Sequence, residues 1–269
     1  MTRSTRSRRA FLAGLAGSLF VPGFATGLAR AQDSAQTAAE PAAEVDEAAV
    51  RAVVRADEIR FPRESFQTEI LVKSSSDGQP GDERKFRVLS RGNENTIVMT
   101  LEPATDRGQA LLLRGRDLWI FMPSVSQPVR LSLAQRLTGQ VANGDLARAN
   151  FAGDYSPRIV GRDTINGQPA LVMDLTAVDR GVTYAKVKYW VNEKDGRPVK
   201  AEFYALSGRL LKTCRYEDFR EMAGRVRPTR LVMEDALKKG DVSVLTYDSM
   251  AVRDLPERMF TREYLRKLE

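Results

Sequence analysis

From Phe66 to Val252 the apolar residues recur at every second position, and turn dipeptides cut the pattern into short lengths. Phe66, Thr68, Ile70 and Val72 alternate with Gln67, Glu69 and Lys73, as in a strand with one face on a core and the other in water. Segments of the same kind occupy Lys85–Arg91, Thr96–Leu101, Ala110–Leu113, Leu118–Met122, Tyr155–Gly161, Ala170–Ala177, Ala185–Val191, Val199–Tyr204, Leu210–Phe219, Thr229–Glu234 and Val242–Val252. Asp77-Gly78, Gly92-Asn93, Asn166-Gly167, Asp195-Gly196, Ser207-Gly208 and Lys239-Gly240 separate them, and Gly115 suits the tight turn Arg114–Asp117. About eleven or twelve strands at this spacing predict a meandering antiparallel sheet. A sheet that long must curl, close or split.

Only two segments have helical period. Glu47–Ile59 carries Ala48, Val50, Val53, Val54 and Ala56 along one stripe, and Phe61-Pro62 stops it. The second is Ser132–Phe151, where Leu131–Leu137 reads as a short amphipathic helix with Leu133 and Leu137 on one face. Gly139 and Gly144 suggest that this connection is mobile enough to act as a lid. The expected fold class is therefore mainly β (α+β): one strongly curved, open sheet with helices covering its concave side.

One strand departs from the alternation. Leu118, Trp119, Ile120, Phe121 and Met122 are consecutive, so both of its faces are apolar and both need cover, or a ligand on one. That is the mark of a pocket, and no catalytic constellation accompanies it. The chain has no histidine, which removes Ser-His-Asp and Cys-His chemistry and His-ligated zinc together. Chemistry on carboxylates or lysine alone remains open. Glu202, Glu217, Asp218, Glu234 and Asp235, however, have no pairing signature and read as surface charge, as do Lys186, Lys188, Lys200, Lys212 and Arg215. Cys214, the single cysteine, excludes an internal disulfide and reads as a small core filler. The chain is thus read as a binding protein, not an enzyme, with no cofactor and no metal.

The N-terminus is a targeting segment. Arg3, Arg6, Arg8 and Arg9 precede the apolar stretch Ala10–Phe24, and Ala29-Arg30-Ala31 is a cleavage site placing the cut after Ala31. Ser7-Arg8-Arg9-Ala10-Phe11-Leu12 has the twin-arginine pattern, with Arg8 and Arg9 as the paired address. The apolar stretch is short and broken by Gly and Pro, unlike a membrane span. The whole chain carries +7, but residues 1–31 hold five arginines and no acid. Removing them leaves 37 basic against 35 acidic residues, or +2. Nucleic-acid binding thereby loses its main support. Residues 32–47 read as a flexible tether and residues 48–269 as a single domain.

Several blocks, taken in order, resemble the outer-membrane lipoprotein-sorting (LolA-like) family. They are Gly115–Pro123, Arg130-Leu131-Ser132, Gly139, Gly144-Asp145-Leu146, Asp154-Tyr155, Tyr189-Trp190-Val191, Pro198–Tyr204 and Gly208–Lys212, within roughly residues 65 to 255. One stretch departs from the family pattern: Thr138–Asn143 is polar where Met and Phe are usual. The resemblance implies a LolA/LolB-like half-barrel of about 11 strands, helices closing its concave side, and an apolar cavity for acyl chains. It implies a cavity-lining role for Trp119, Phe121, Leu133 and Leu137. It further implies a periplasmic, monomeric carrier of lipid or acylated protein, working with an inner-membrane transporter of the resistance-nodulation-division type. A sensing or adaptor module on the same scaffold is the alternative.

Overall fold

The sheet begins and ends at its own middle. The structure, a computed structural model, describes residues 45–148 and 150–265. Helix α1 (Glu47–Arg60) leads into β1 (Phe66–Ser76), from which β2 (Gln79–Arg91), β3 (Asn95–Glu102), β4 (Ala110–Arg114), β5 (Asp117–Phe121) and β6 (Val129–Leu131) step outward to one edge. A small hairpin, β7 (Arg136–Thr138) and β8 (Val141–Ala142), follows with two short helices, α2 (Asn143–Ala147) and α3 (Phe151–Asp154). The chain then starts again at the opposite edge with β9 (Tyr155–Ile165). It returns inward through β10 (Gln168–Ala177), β11 (Lys186–Asn192), β12 (Pro198–Tyr204), β13 (Leu210–Met222), β14 (Arg225–Asp235) and β15 (Val242–Val252). There β15 pairs antiparallel with β1, Phe66 opposite Val252 and Ser75 opposite Val242.

The result is a 13-stranded antiparallel sheet, strongly curved and not closed into a barrel, with β6 and β9 as its free edges. Irregular register at Glu69/Ile70, Lys85/Phe86, Val172/Met173 and Phe203/Tyr204 helps it bend, because a bulge kinks a strand and increases its twist. The twelve strand segments expected from the sequence are all present; β6 is the thirteenth.

Helix α1 lies in the concavity. Asp46 starts it by accepting from Ala49 N–H (2.9 Å), and its other oxygen accepts from Ile159 N–H in β9 (2.8 Å), tying the helix start to the sheet edge. Those two backbone donors hold the Asp46 carboxyl below its usual range. Extended backbone at Phe61 ends the helix before Pro62. Ala49, Val53 and Ala56 are fully buried, and their small size lets the helix sit close to the strands.

Most of the convex face carries charge ladders. Glu69 accepts from Arg87 and Lys85, Arg215 bridges Glu217 and Glu234, and Lys200 pairs with Glu202. Exposed pairs of this kind contribute about 0–1 kcal/mol each and serve mainly to keep the face solvated. Over β2–β5 the convex face is apolar, and the C-terminal segment covers it. Leu255, Phe260 and Leu265, the last in α4 (Arg262–Leu265), pack on Leu89, Ile97, Leu112 and Phe121. This explains the doubly apolar β5: Leu118 and Ile120 join the main core within the concavity, while Trp119 and Phe121 join the outer cluster.

Residues 131–137 do not form the expected helix. Leu131 closes β6, Ser132 and Gln135 make a turn (Gln135 N–H to Ser132 O, 3.2 Å), and Arg136 opens β7. The Leu133/Leu137 spacing suits a helix, but Thr138 and Val141 favour extended backbone and Gly139 takes φ +50, which fixes a hairpin. Within residues 131–154 helical backbone is confined to α2 and α3. The leader, including Arg8, Arg9 and the cut after Ala31, and the tether up to residue 44 lie outside the described residues.

The outer cluster has a measurable role. Phe260 is about 1% exposed, so Phe260→Ala is expected to lower unfolding free energy by about 3–5 kcal/mol. Leu206→Ala, at a position 82% exposed, should change it by less than about 0.5 kcal/mol. Urea denaturation of both variants checks the contrast.

Candidate functional site

Because the two free edges are consecutive in the chain, residues 132–154 must cross the open side of the sheet. This crossing segment is held by polar clips on a mostly apolar bed. At the β7–β8 turn, Gln140 N–H donates to Ser243 Oγ (2.9 Å), which also bonds Ser74 Oγ (2.9 Å). A Cβ on Gly139 would lie 2.1 Å from Ser74 Oγ, and one on Gly144 would lie 2.0 Å from Thr183 Oγ1. Both glycines therefore serve close packing, where the sequence suggested slack.

Three ion pairs are buried beneath. Lys212 Nζ on β13 reaches Asp145 Oδ2 on α2 (2.5 Å) and the carbonyl of Gln140 (2.5 Å). Asp145 also accepts from Tyr184 Oη (2.9 and 3.0 Å) and from Ala142 N–H (2.7 Å). Arg148 forks onto Asp154 (2.5 and 2.7 Å) and donates to Gly115 O (2.7 Å); Arg116 adds a bond to Asp154 (3.1 Å). On α1, Arg60 pairs with Asp57 (3.1 Å) and stacks over Phe151, 4.2 Å from the ring centroid. Asp57 in turn accepts from Ala152 N–H (2.8 Å), linking α1 to α3. Phe151, Tyr155, Tyr189 and Tyr216 pack edge to face around these groups.

Little space remains. A cavity of about 20 Å³ is lined by Arg60, Asp145, Arg148, Phe151, Tyr184 and Tyr216 among others, and a second of about 20 Å³ lies beside Leu137, Ile120 and Phe86. Each has room for about one water, far below the roughly 300–1,000 Å³ of a small-molecule site. An open groove of about 370 Å³ runs outside, between α1, Asn150, Ala152 and the β2–β3 turn.

The four residues singled out from the sequence are not brought together. Leu133 is buried in the main core and Leu137 packs against it, on the same side as Leu118 and Ile120. Trp119 and Phe121 point to the convex face, since successive side chains of β5 alternate. Lys212 also needs correction: it lies inward, 4% exposed, in register with Cys214 and Tyr216, whereas Arg215 is on the solvated face. Its position in the alternation, between Leu210 and Cys214, was the available signal. Asp145, Arg148 and Asp154 give no comparable signal, because the crossing segment has no single period, whereas Asp57 and Arg60 follow Val53 and Ala56 by four residues on the buried stripe of α1. Burial pushes the Cys214 thiol up to about 12, which suits a filler. No group of ligating residues suited to a metal occurs among the described residues, and no described helix is long and apolar enough to cross a membrane.

Burial pushes the Asp57 carboxyl up to about 6, against the pull of Arg60 and the N–H groups of Ala152 and Phe151. The folded value lies above the unfolded one, so between about pH 4 and 6 the folded state holds a proton that the unfolded chain has released. This contribution is fully present at low pH and is lost as pH rises through 6. With no histidine in the chain, no imidazole titrates in the same window. Urea-unfolding free energy is expected to fall between pH 5 and pH 7 in the wild type and to be flatter in Asp57→Asn.

A family model described as "Uncharacterized protein" matches residues 92–267. A LolA superfamily protein from Nitrosomonas europaea is 57% identical, with TM-score 0.77, over 80% of this chain and 98% of that one. A domain from Vibrio parahaemolyticus assigned to outer membrane lipoprotein sorting has TM-score 0.70 at 19% identity, over 82% and 99% of the two chains. A DUF1329 family protein from Desulfovibrio piger has TM-score 0.71 at 19% identity, over 81% and 98%. No curated protein matches. The last two structures share the fold; the first, by identity and coverage, establishes the relationship, and the chain belongs to the LolA superfamily.

Proposed function

We propose that this protein is a periplasmic carrier that takes acyl chains of lipids or lipoproteins into the concave side of its sheet, for sorting toward the outer membrane. In this reading residues 1–31 direct export by the twin-arginine route; the tether expected over 32–47 ends before Asp46, which caps α1. The monomer receives its cargo from an inner-membrane transporter of the resistance-nodulation-division type. The observation that carries the proposal is the cover itself. A continuous apolar and aromatic bed lies under residues 132–154, and that segment is not strand-paired with the main sheet; it is held by the packing of Leu133, Val141, Leu146 and Phe151 and by clips such as Lys212–Asp145 and Gln140–Ser243. Displacing it exposes a surface on which each buried CH₂ of cargo gains about 0.8 kcal/mol. Leu133 and Leu137 belong to the moving cover in this account, and Leu118 and Ile120 to the bed. The interior carboxylates are each engaged by a cation, which fits binding and supplies no free general base.

The filled interior favours one competing reading. Cavities of only about 20 Å³ also suit an adaptor that binds a protein partner on its surface and exchanges no lipid. A lock distinguishes the two. Cysteines replacing Gln140, at the β7–β8 turn, and Ser243, on β15, whose backbone nitrogen and side-chain oxygen are 2.9 Å apart, should form a disulfide that ties the hairpin to the main sheet. Fluorescent fatty-acid uptake by residues 32–269 is expected to fall at least tenfold on oxidation and to recover on reduction. Uptake that ignores the lock would remove the lid from the account. A protein that takes up no probe in either state would support the adaptor.

A further inference from the structure

Of the three ion pairs buried beneath the crossing segment, two keep both partners on one piece of chain. Asp57 and Arg60 are one turn apart on α1, and Arg148 and Asp154 both belong to residues 132–154. Lys212–Asp145 differs: the cation is fixed in β13, inside the sheet, and the carboxylate rides on the crossing segment. The other oxygen acceptor of Lys212 Nζ, the carbonyl of Gln140, also rides on that segment. What stays with Lys212 is the Met233 sulfur (3.6 Å) and the rings of Tyr184 and Phe203, centroids 5.1 and 5.4 Å away. If the segment lifts, a lysine 4% exposed is stripped of its counter-charge on the floor of an apolar concavity. Once an acyl chain covers the floor again the lysine is buried without its partner, which is strongly destabilising, so the loaded state requires a replacement anion.

Resting on the carrier reading, we propose that the cargo is an anionic amphiphile, whose carboxylate or phosphate headgroup takes the place of Asp145 on Lys212 while its acyl chain fills the bed. Asp145 is then an internal stand-in for the headgroup. It keeps the empty carrier shut and competes with cargo for one cation. The flanking Tyr184 and Phe203 rings give the ammonium a partly apolar setting in which exchange of one oxyanion for another is favoured over hydration. A neutral lipid of equal chain length would leave Lys212 unpaired and should bind more weakly.

The experiment compares palmitate, 1-palmitoyl lysophosphatidate, hexadecanol and inorganic phosphate on residues 32–269, with fold checked by circular dichroism and melting temperature. In the wild type, palmitate or lysophosphatidate should bind about tenfold or more tighter than hexadecanol, the scale of a charge-assisted hydrogen bond. Whichever of the two binds tighter identifies the headgroup, and inorganic phosphate alone should not compete at equal concentration. Asp145→Asn weakens the pair that holds the closed state and should tighten palmitate and hexadecanol alike, leaving the anionic preference intact. Asp145→Asn combined with Lys212→Met, which removes the pair without leaving a buried charge, should lose the anionic preference and still bind hexadecanol. Equal binding of palmitate and hexadecanol by the wild type overturns the headgroup assignment alone. So does a combined variant that keeps the anionic preference, or an Asp145→Asn variant that binds neither ligand more tightly than the wild type. Absence of binding by any amphiphile overturns the carrier reading and this one with it.

Discussion

The pairing of β1 with β15 organises the rest of the molecule. With the first and last strands joined at the centre, the sheet grows outward in both directions and its two free edges are consecutive in sequence. The chain between them has no choice but to cross the open side. The crossing therefore follows from topology, and what sequence supplies is the means of holding it down. Here those means are both apolar, through Leu133, Val141, Leu146 and Phe151 in the core, and polar, through the ion pair Lys212–Asp145 and the bond from Gln140 N–H to Ser243.

Buried ion pairs are a poor route to stability. Desolvating both charges costs several kcal/mol, and an apolar replacement of similar volume often does as well or better. Three such pairs in one concavity, beside a bed of Phe and Tyr rings, mean that the interior is not optimised for apolar packing alone. Arg60 illustrates the arrangement from the helix side: it satisfies Asp57, lies against Phe151, and through Asp57 reaches the backbone of Ala152.

Much of this was legible in the sequence, in a pattern that physical reasons explain. Strands such as Phe66–Ser76 and Leu210–Met222 announced themselves because one face meets a core and the other meets water, so burial imposes period two. Helix α1 was legible from its stripe and its Pro62 stop. The crossing segment was not, because Leu133 and Leu137 have helical spacing but are buried from turn and hairpin backbone whose shape depends on Ser74 and Ser243, more than a hundred residues away or sixty before. The doubly apolar β5 was read as needing cover on both sides or a ligand on one, and so as the mark of a pocket; the structure covers both faces with protein. Its outer cover, Phe260 and Leu265, could not be found from β5 alone. Lys212 was hidden by its type: a lysine in a strand reads as solvated until its inward register is counted.

The central claim is that the concave side opens to hold an acyl chain. Native mass spectrometry of the protein, isolated gently from the cells that make it, tests it most directly. The account predicts a population heavier by the mass of one acylated anionic molecule, which separates from the protein on solvent extraction. A protein found only at its polypeptide mass, and still at that mass after incubation with lipid vesicles, would contradict it.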